Sequence, residues 1–233
     1  MSKITAKDLK VLTQWDTPTI CNALEVTDPH RRGWGFTTSP FAVLDPSLPP
    51  MVGFARTLTI RAAQPDLSPG DKTMAVRIPY YEYVAKGPGP TIVVIEDLDP
   101  KPGVGAFWGE VHTAVHKGLG ALGCVTNGAF RDLDDSAPGF QILGGMVNPS
   151  HAFVHPVAFG GPVTVHGMRV AHGDVIHADK HGAVVIPRET VKKIPETVAF
   201  LVRKEAVILD AARAKGFDIK KLKKAIGDQG DIH

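Results

Sequence analysis

The sequence predicts an α/β fold that turns β-rich after its middle and closes in helices. Three patterns carry that expectation. An apolar, β-branched run at 91–95 and a second buried strand at 122–126 flank a helix-like stretch at 107–119, the order of a parallel βαβ unit. After Gly139, short β-branched runs alternate with turn pairs such as Gly160-Gly161 and His172-Gly173, which reads as antiparallel structure. From Pro187 onward the chain is helix-forming and rich in lysine and arginine.

Taken in order, residues 6–26 place Leu9, Leu12, Ile20, Ala23 and Leu24 at a rough helical period, with Pro18 as the expected break or bend. Residues 28–51 are rich in proline and aromatics and read as a loop. Residues 52–62 alternate well enough for a strand. Ser68-Pro69-Gly70-Asp71 marks a helix start, 72–86 the helix, and Gly87-Pro88-Gly89-Pro90 a hard stop. The later runs at 152–157, 162–165, 168–170, 174–178 and 183–186 are the expected antiparallel strands. Pro187 is expected to open a helix to about residue 214, and Asp218 a short last one.

At 233 residues, with 43% hydrophobic and 21% charged residues, the chain has the composition of a globular protein and not of a disordered one. Its length suits one domain. The formal charge of +2 argues weakly against a dedicated nucleic-acid binder, and it is uneven. Residues 191–224 carry ten basic and four acidic groups, a local +6 against −4 for the remainder. Two cysteines, Cys21 and Cys124, lie far apart, which excludes a disulfide scaffold and a Cys-based zinc finger. Free thiols, no apolar leader and no apolar run of roughly 18 residues lead to the expectation of a soluble, cytoplasmic protein without a membrane partner.

The familiar nucleotide and hydrolase motifs are missing. Gly103-Val104-Gly105-Ala106-Phe107-Trp108 nearly spells a dinucleotide fingerprint, but Trp108 stands where the glycine that permits close helix packing is needed. Ten histidines invite a metal reading. The pairs His151/His155 and His177/His181 are four apart on expected strands, about 13 Å along the chain, too far to share an ion. They are expected to be hydrogen-bonded strand and turn residues. His112 and His116 are four apart on an expected helix and remain a candidate zinc pair, for a zinc hydrolase, if a third ligand joins them.

Two segments carry potential chemistry. Gly109-Glu110-Val111-His112 lies at a helix start, where free N–H groups and the helix dipole attract anions. Asn127-Gly128-Ala129-Phe130-Arg131-Asp132-Leu133-Asp134-Asp135 follows a buried parallel strand, the end at which open α/β sheets gather ligands. Its carboxylates suit Mg²⁺ or Mn²⁺, and its arginine an anionic oxygen.

Trp108-Gly109-Glu110-Val111, then Gly120-Ala121-Leu122-Gly123, then Val125-Thr126-Asn127-Gly128-Ala129-Phe130-Arg131-Asp132 resembles the RraA-like family, in particular its class II pyruvate aldolases, the 4-hydroxy-4-methyl-2-oxoglutarate and 4-carboxy-4-hydroxy-2-oxoadipate aldolases. The matching signature residues are Gly109, Arg131, Asp132 and Asp135. The segment from Gly173 to Pro187 is similar to the family's closing hairpin, and Lys204 to Leu209 to its C-terminal helix. The resemblance covers 7–225. Where the family often has Asp, this chain has Asn127 and Glu110.

The resemblance implies a β/β/α layered, swivelling-domain-like fold. It would span 1–233 as one domain with a C-terminal helical extension at 188–226. It implies metal-dependent retro-aldol cleavage of a 4-hydroxy-2-oxo acid to pyruvate and a second oxo acid, with oxaloacetate decarboxylation as a side activity. Asp132 would bind Mg²⁺ or Mn²⁺, and Glu110 would hold metal-bound waters. Glu205 would come from a neighbouring subunit of a homotrimer or homohexamer. The substrate carboxylate would meet the backbone N–H groups of Val111 and His112 beside Gly109. Arg131 would face the C2 oxygen, oriented by Asp135. The family also contains protein regulators of a ribonuclease, a non-catalytic alternative in which the basic C-terminal stretch is the contact surface.

Overall fold

The computed structural model describes residues 3–67, 72–230 and 232. Residues 6–26 form two helices instead of one. Ala6–Leu12 (α1) opens on a reciprocal cap between Thr5 and Asp8. Thr17–Thr27 (α2) opens on Asp16, whose carboxylate accepts from the Thr19 N–H at 2.9 Å. Pro18 does not make the break. It sits in the first turn of α2, where a missing N–H leaves nothing unpaired.

Residues 28–50 are mostly loop, with a 3-10 turn at Pro29–Arg31 and a two-residue strand, Ala42–Val43 (β1). Met51–Arg61 (β2), Lys72–Ala85 (α3) and Thr91–Asp97 (β3) follow as expected, while the helix start expected at 68–71 lies outside the described residues. The helix expected over 107–119 is shorter. Ala106–Trp108 (β4) is extended, and only Glu110–Gly118 (α4) is helical, before Ala121–Thr126 (β5).

Four strands then come in quick succession: Ala129–Phe130 (β6), Gln141–Gly144 (β7), Met146–Val147 (β8) and His155–Phe159 (β9). Val163–Val165 (β10) and Met168–Val170 (β11) form a hairpin, as do Val175–Asp179 (β12) and Gly182–Ile186 (β13). Pro187 opens turns, not a helix. Ile194–Arg213 (α5) starts later, and Ile219–Gly230 (α6) ends the described helices. Among the described residues no helix is long and apolar enough to cross a membrane.

The main sheet runs β1-β7-β5-β3-β2-β12-β13. Its centre, β7-β5-β3-β2, is parallel and its flanks are antiparallel. The outer edge of β2 is shared: β12 pairs with residues 51–54 and β9 with residues 58–61. Strand β3 shows why the layers form. Ile92 and Val94 face one side and Val93 and Ile95 the other, and all four are buried. Fully burying each such side chain contributes about 1.5–3 kcal/mol. One face of the sheet is covered by α1, α2 and α5 near β2, β12 and β13, and by α3 and α4 farther along. The β10–β11 hairpin covers the other.

A buried polar knot ties the first helices to the second hairpin. The Thr17 N–H donates to Asp179 Oδ2 at 2.9 Å, and the Thr17 hydroxyl pairs with His177 Nδ1 at 3.0 Å. The opposite nitrogen of His177 reaches the Trp15 carbonyl at 3.0 Å. Asp179 therefore satisfies an N–H at the start of α2 that the helix itself cannot pair. Asp179→Ala leaves that buried donor orphaned. It is expected to lower stability by about 1–3 kcal/mol in equilibrium urea unfolding, with the slope of the transition unchanged.

Candidate active site

The site is assembled by strand register. A second, small parallel sheet, β4-β6-β8, pairs Ala106 with Ala129 and Trp108 with Phe130. The next residue of each strand is Gly109 and Arg131, and the Arg131 N–H donates to the Trp108 carbonyl at 2.9 Å. Two segments distant in sequence thus meet just beyond the carboxyl end of β5.

Gly109 is the residue before α4 and has extended backbone, which any residue adopts. What it requires is space. A Cβ there would stand 2.5 Å from Asp132 Oδ2 and 3.2 Å from Arg131 Nε. Asp132 is in the left-handed region, with φ of 55°. Aspartate tolerates that conformation better than most residues. It turns the carboxylate back to the mouth of α4, where Oδ2 accepts from the Glu110 N–H at 3.1 Å and from Arg131 Nε at 3.3 Å. The turn is held from behind by Ser136, whose N–H and hydroxyl both donate to the Asp132 carbonyl. The N–H groups of Val111 and His112, next in the first turn of α4, have no acceptor among the described residues. The site thus presents a half-buried guanidinium, a carboxylate and two free helix N–H groups.

Not every expected residue joins it. Glu110 is exposed at the first position of α4. Asp134 and Asp135 are exposed in the turn after Asp132, and Arg131 is bonded to Asp132, not to Asp135. Glu205 is exposed on α5, which packs against α2 and α6. Asn127 has a framework role. Its Oδ1 accepts from the Asp97 N–H at 2.8 Å and its Nδ2 donates to the Asp97 carbonyl at 3.1 Å, which clasps the ends of β3 and β5. An aspartate there has no donor for the second bond.

The donor set suits some ions and not others. The hydrogen bonds of the Asp132 carboxylate use Oδ2, which leaves Oδ1 as one hard oxygen and fits an ion that keeps several waters, such as Mg²⁺. Among the described residues no three His, Cys, Asp or Glu side chains converge as a metal cage. The zinc pair is corrected by its bonding. His116 Nδ1 donates to the His112 carbonyl at 2.6 Å and Nε2 accepts from the Tyr80 hydroxyl at 2.9 Å, so neither nitrogen is left for a metal. The six histidines from 151 to 181 are all hydrogen-bonded through their rings.

His112 stacks on Phe107, with ring centroids 4.4 Å apart. Burial, and then the charge of Arg77, push its pKa down to about 4; Arg131 adds to the effect. Burial likewise pushes His116 down to about 3. Beside His112 a cavity of about 60 Å³ is walled by Arg77, Tyr80, Tyr81, Phe107 and Val154. Sequence reasoning missed this wall, because its residues come from α3, β4, α4 and the approach to β9 and share no linear pattern.

The family model of RraA-like proteins, described as Aldolase/RraA, matches residues 17–185, a stretch that includes Gly109, Arg131 and Asp132 and stops before Glu205. No curated protein matches the chain in sequence. An uncharacterized protein from Pseudomonas syringae is similar in structure, with 20% identity, a TM-score of 0.71, and 97% of this chain and 96% of that one covered. Streptomyces coelicolor RraAS2, an unusual member of the RNase ES inhibitor RraA protein family, is 22% identical with a TM-score of 0.68, covering 88% and 96%. The RNA-processing inhibitor RraA from Thermus thermophilis is 16% identical with a TM-score of 0.51, covering 70% and 90%. At these identities the likeness is one of fold: layered α/β with C-terminal helices.

Two outcomes follow from the packing. Gly109→Ala is expected to turn the Asp132 carboxylate away from the start of α4, at a cost of about 1 kcal/mol or less for the two bonds lost, read by calorimetry as a small fall in melting temperature. The buried histidines set a pH dependence. Both stay neutral in the folded chain but take up protons near their ordinary value of 6.5 when unfolded. Their contribution is complete above that value and is lost as pH falls from about 6.5 towards 4. The decline is about 1.4 kcal/mol per pH unit for each histidine, read from urea unfolding between pH 7 and 4.5.

Proposed function

The chain belongs to the RraA-like family, and from that premise we propose that it is a carbon–carbon lyase that cleaves a 4-hydroxy-2-oxo acid to pyruvate and a second oxo acid. The observation that carries the reading is the Gly109, Arg131, Asp132 cluster: a carboxylate turned back by a left-handed residue onto a helix start, in the space that a side chain at Gly109 would take. Left-handed backbone at a non-glycine residue is a feature that concentrates at functional sites.

In this reading the substrate carboxylate lies against the free N–H groups of Val111 and His112, where the helix dipole favours an anion. Arg131 directs its guanidinium to the C2 oxygen, where negative charge develops as the C3–C4 bond breaks and the enolate of pyruvate forms. Glu110, exposed at the helix start, orders the water near the 4-hydroxyl proton. Asp132 would hold Mg²⁺ or Mn²⁺ through Oδ1, and such an ion supplies Lewis-acid stabilisation of the same oxygen. Glu205 and Asp135 do not reach the cluster within one chain. The reading therefore takes the working form to be a homotrimer or homohexamer in which a neighbour's Glu205 completes the site. The same enolate arises when oxaloacetate loses CO₂, so decarboxylation is a second activity.

The named structural neighbours favour a second reading over this one. Two of them are described as an RraA-type inhibitor or as a member of that inhibitor family, and a non-catalytic regulator of a ribonuclease would use the basic faces of α5 and α6 as its contact surface. Titration calorimetry with Mg²⁺ and oxalate, together with a pyruvate-release assay on a panel of 4-hydroxy-2-oxo acids, separates the two. A lyase binds oxalate only with metal, loses pyruvate release altogether in Asp132→Ala, and falls about 10²-fold or more in turnover in Arg131→Lys, by analogy with losing an oxyanion donor. Absence of metal-dependent oxalate binding and of pyruvate release, with the chain folded, leaves the regulator.

A further inference from the structure

A second cavity, of about 470 Å³, opens at the other end of the parallel strands. It lies where the outer edge of β2 passes from β12 to β9. At this gap β2 is bonded to turns and a side chain: the Gly173 N–H donates to the Ala55 carbonyl, the Gly160 N–H to the Thr57 carbonyl, and the Thr57 N–H to the Tyr83 hydroxyl at 3.1 Å. The walls are Phe54, Arg56, Tyr83, Lys86, His172 and Arg188. None of them belongs to the candidate active site.

The charge of this cavity is one-sided. Arg56 is 2% exposed, and its bonds go to the backbone carbonyls of Ala55, Lys86 and Pro88. Its Nε is buried without a partner. Arg188 donates to the Gly173 carbonyl and lies 5.4 Å from the Phe54 ring centroid. Among the described residues no carboxylate forms an ion pair with Arg56, Lys86 or Arg188, and none lines the cavity. Burying a guanidinium without a counter-charge is costly, and the two exposed cations beside Arg56 add to a positive field over an aromatic floor that an anion would balance.

We infer that this cavity binds a small organic anion of two or more negative charges, its oxyanion groups on Lys86 and Arg188 in the field of the buried Arg56 and its apolar part against Phe54 and Tyr83. Carboxylates and phosphate esters share the chemistry such a site reads.

The test is titration calorimetry on the full chain at fixed ionic strength, with citrate as the polycarboxylate and phenyl phosphate as the phosphate ester. Lys86 and Arg188 are exposed, so the Lys86→Gln/Arg188→Gln pair is expected to melt like the parent chain. The parent should bind at least one probe saturably at one site. The pair should weaken that binding about tenfold or more, as expected from losing two charged contacts. A control pair on α6, Lys220→Gln/Lys223→Gln, should leave it unchanged. Citrate alone binding assigns a polycarboxylate and phenyl phosphate alone a phosphate ester, and either supports the site. No saturable binding of either probe, parent-like binding by the Lys86/Arg188 pair, or equal weakening by the control pair overturns it.

Discussion

The two-residue pairing of β4 with β6 is the constraint on which the candidate site depends. It aligns Trp108 with Phe130 and leaves Gly109 and Arg131 side by side at the strand ends. Everything chemical in the site is a consequence of that register. The left-handed turn of Asp132 returns its carboxylate to the start of α4, and the bare backbone of Gly109 lets it arrive. A one-residue slip would point Arg131 to the opposite side. The register is protected by burial: Trp108 and Phe130 are both in the core, with Trp108 packed against Phe140 and His116.

The platform beneath is mostly uncharged, which is how a charged site can sit so near a dry core. Asn127 clasps the ends of β3 and β5 with an amide, and His116 is locked between a carbonyl and the Tyr80 hydroxyl. The carboxylates of Asp97 and Asp99 are exceptions. Burial raises the pKa of Asp97, but the N–H groups of Asp99 and Gly103 donate to it, and those of Ala62 and Ala63 donate to Asp99. The charge of the site itself, on Arg131, Asp132 and the helix start, lies where solvent or a bound anion can reach it.

How much of this was legible in the sequence depended on whether the signal was local. The buried strand β3 announced itself as an apolar β-branched run and β5 as a short buried one, and the antiparallel half by its glycine-punctuated alternation. Strands β6 and β8 have two residues each, too few for any periodicity, so the second sheet was invisible. Because β4 pairs in that sheet, its residues were absorbed into the expected helix. In the site, the adjacency of Arg131 and Asp132 was readable, but Asp134 and Asp135 show that neighbours in sequence need not converge. The His112/His116 pair failed for a related reason. Helical spacing brings two rings to one face, but whether their nitrogens are free depends on Tyr80, which comes from another helix.

The divided edge of β2 has a consequence for synthesis. Strand β2 ends at Arg61, yet the partner of its first residues, β12, begins only at Val175, with β9 between them in the chain. At about 5–20 residues per second, the centre of the sheet waits roughly ten seconds on the ribosome with one side unpaired. Throughout that interval an apolar strand exposes its N–H and C=O groups, the condition under which sheets pair with the wrong neighbour.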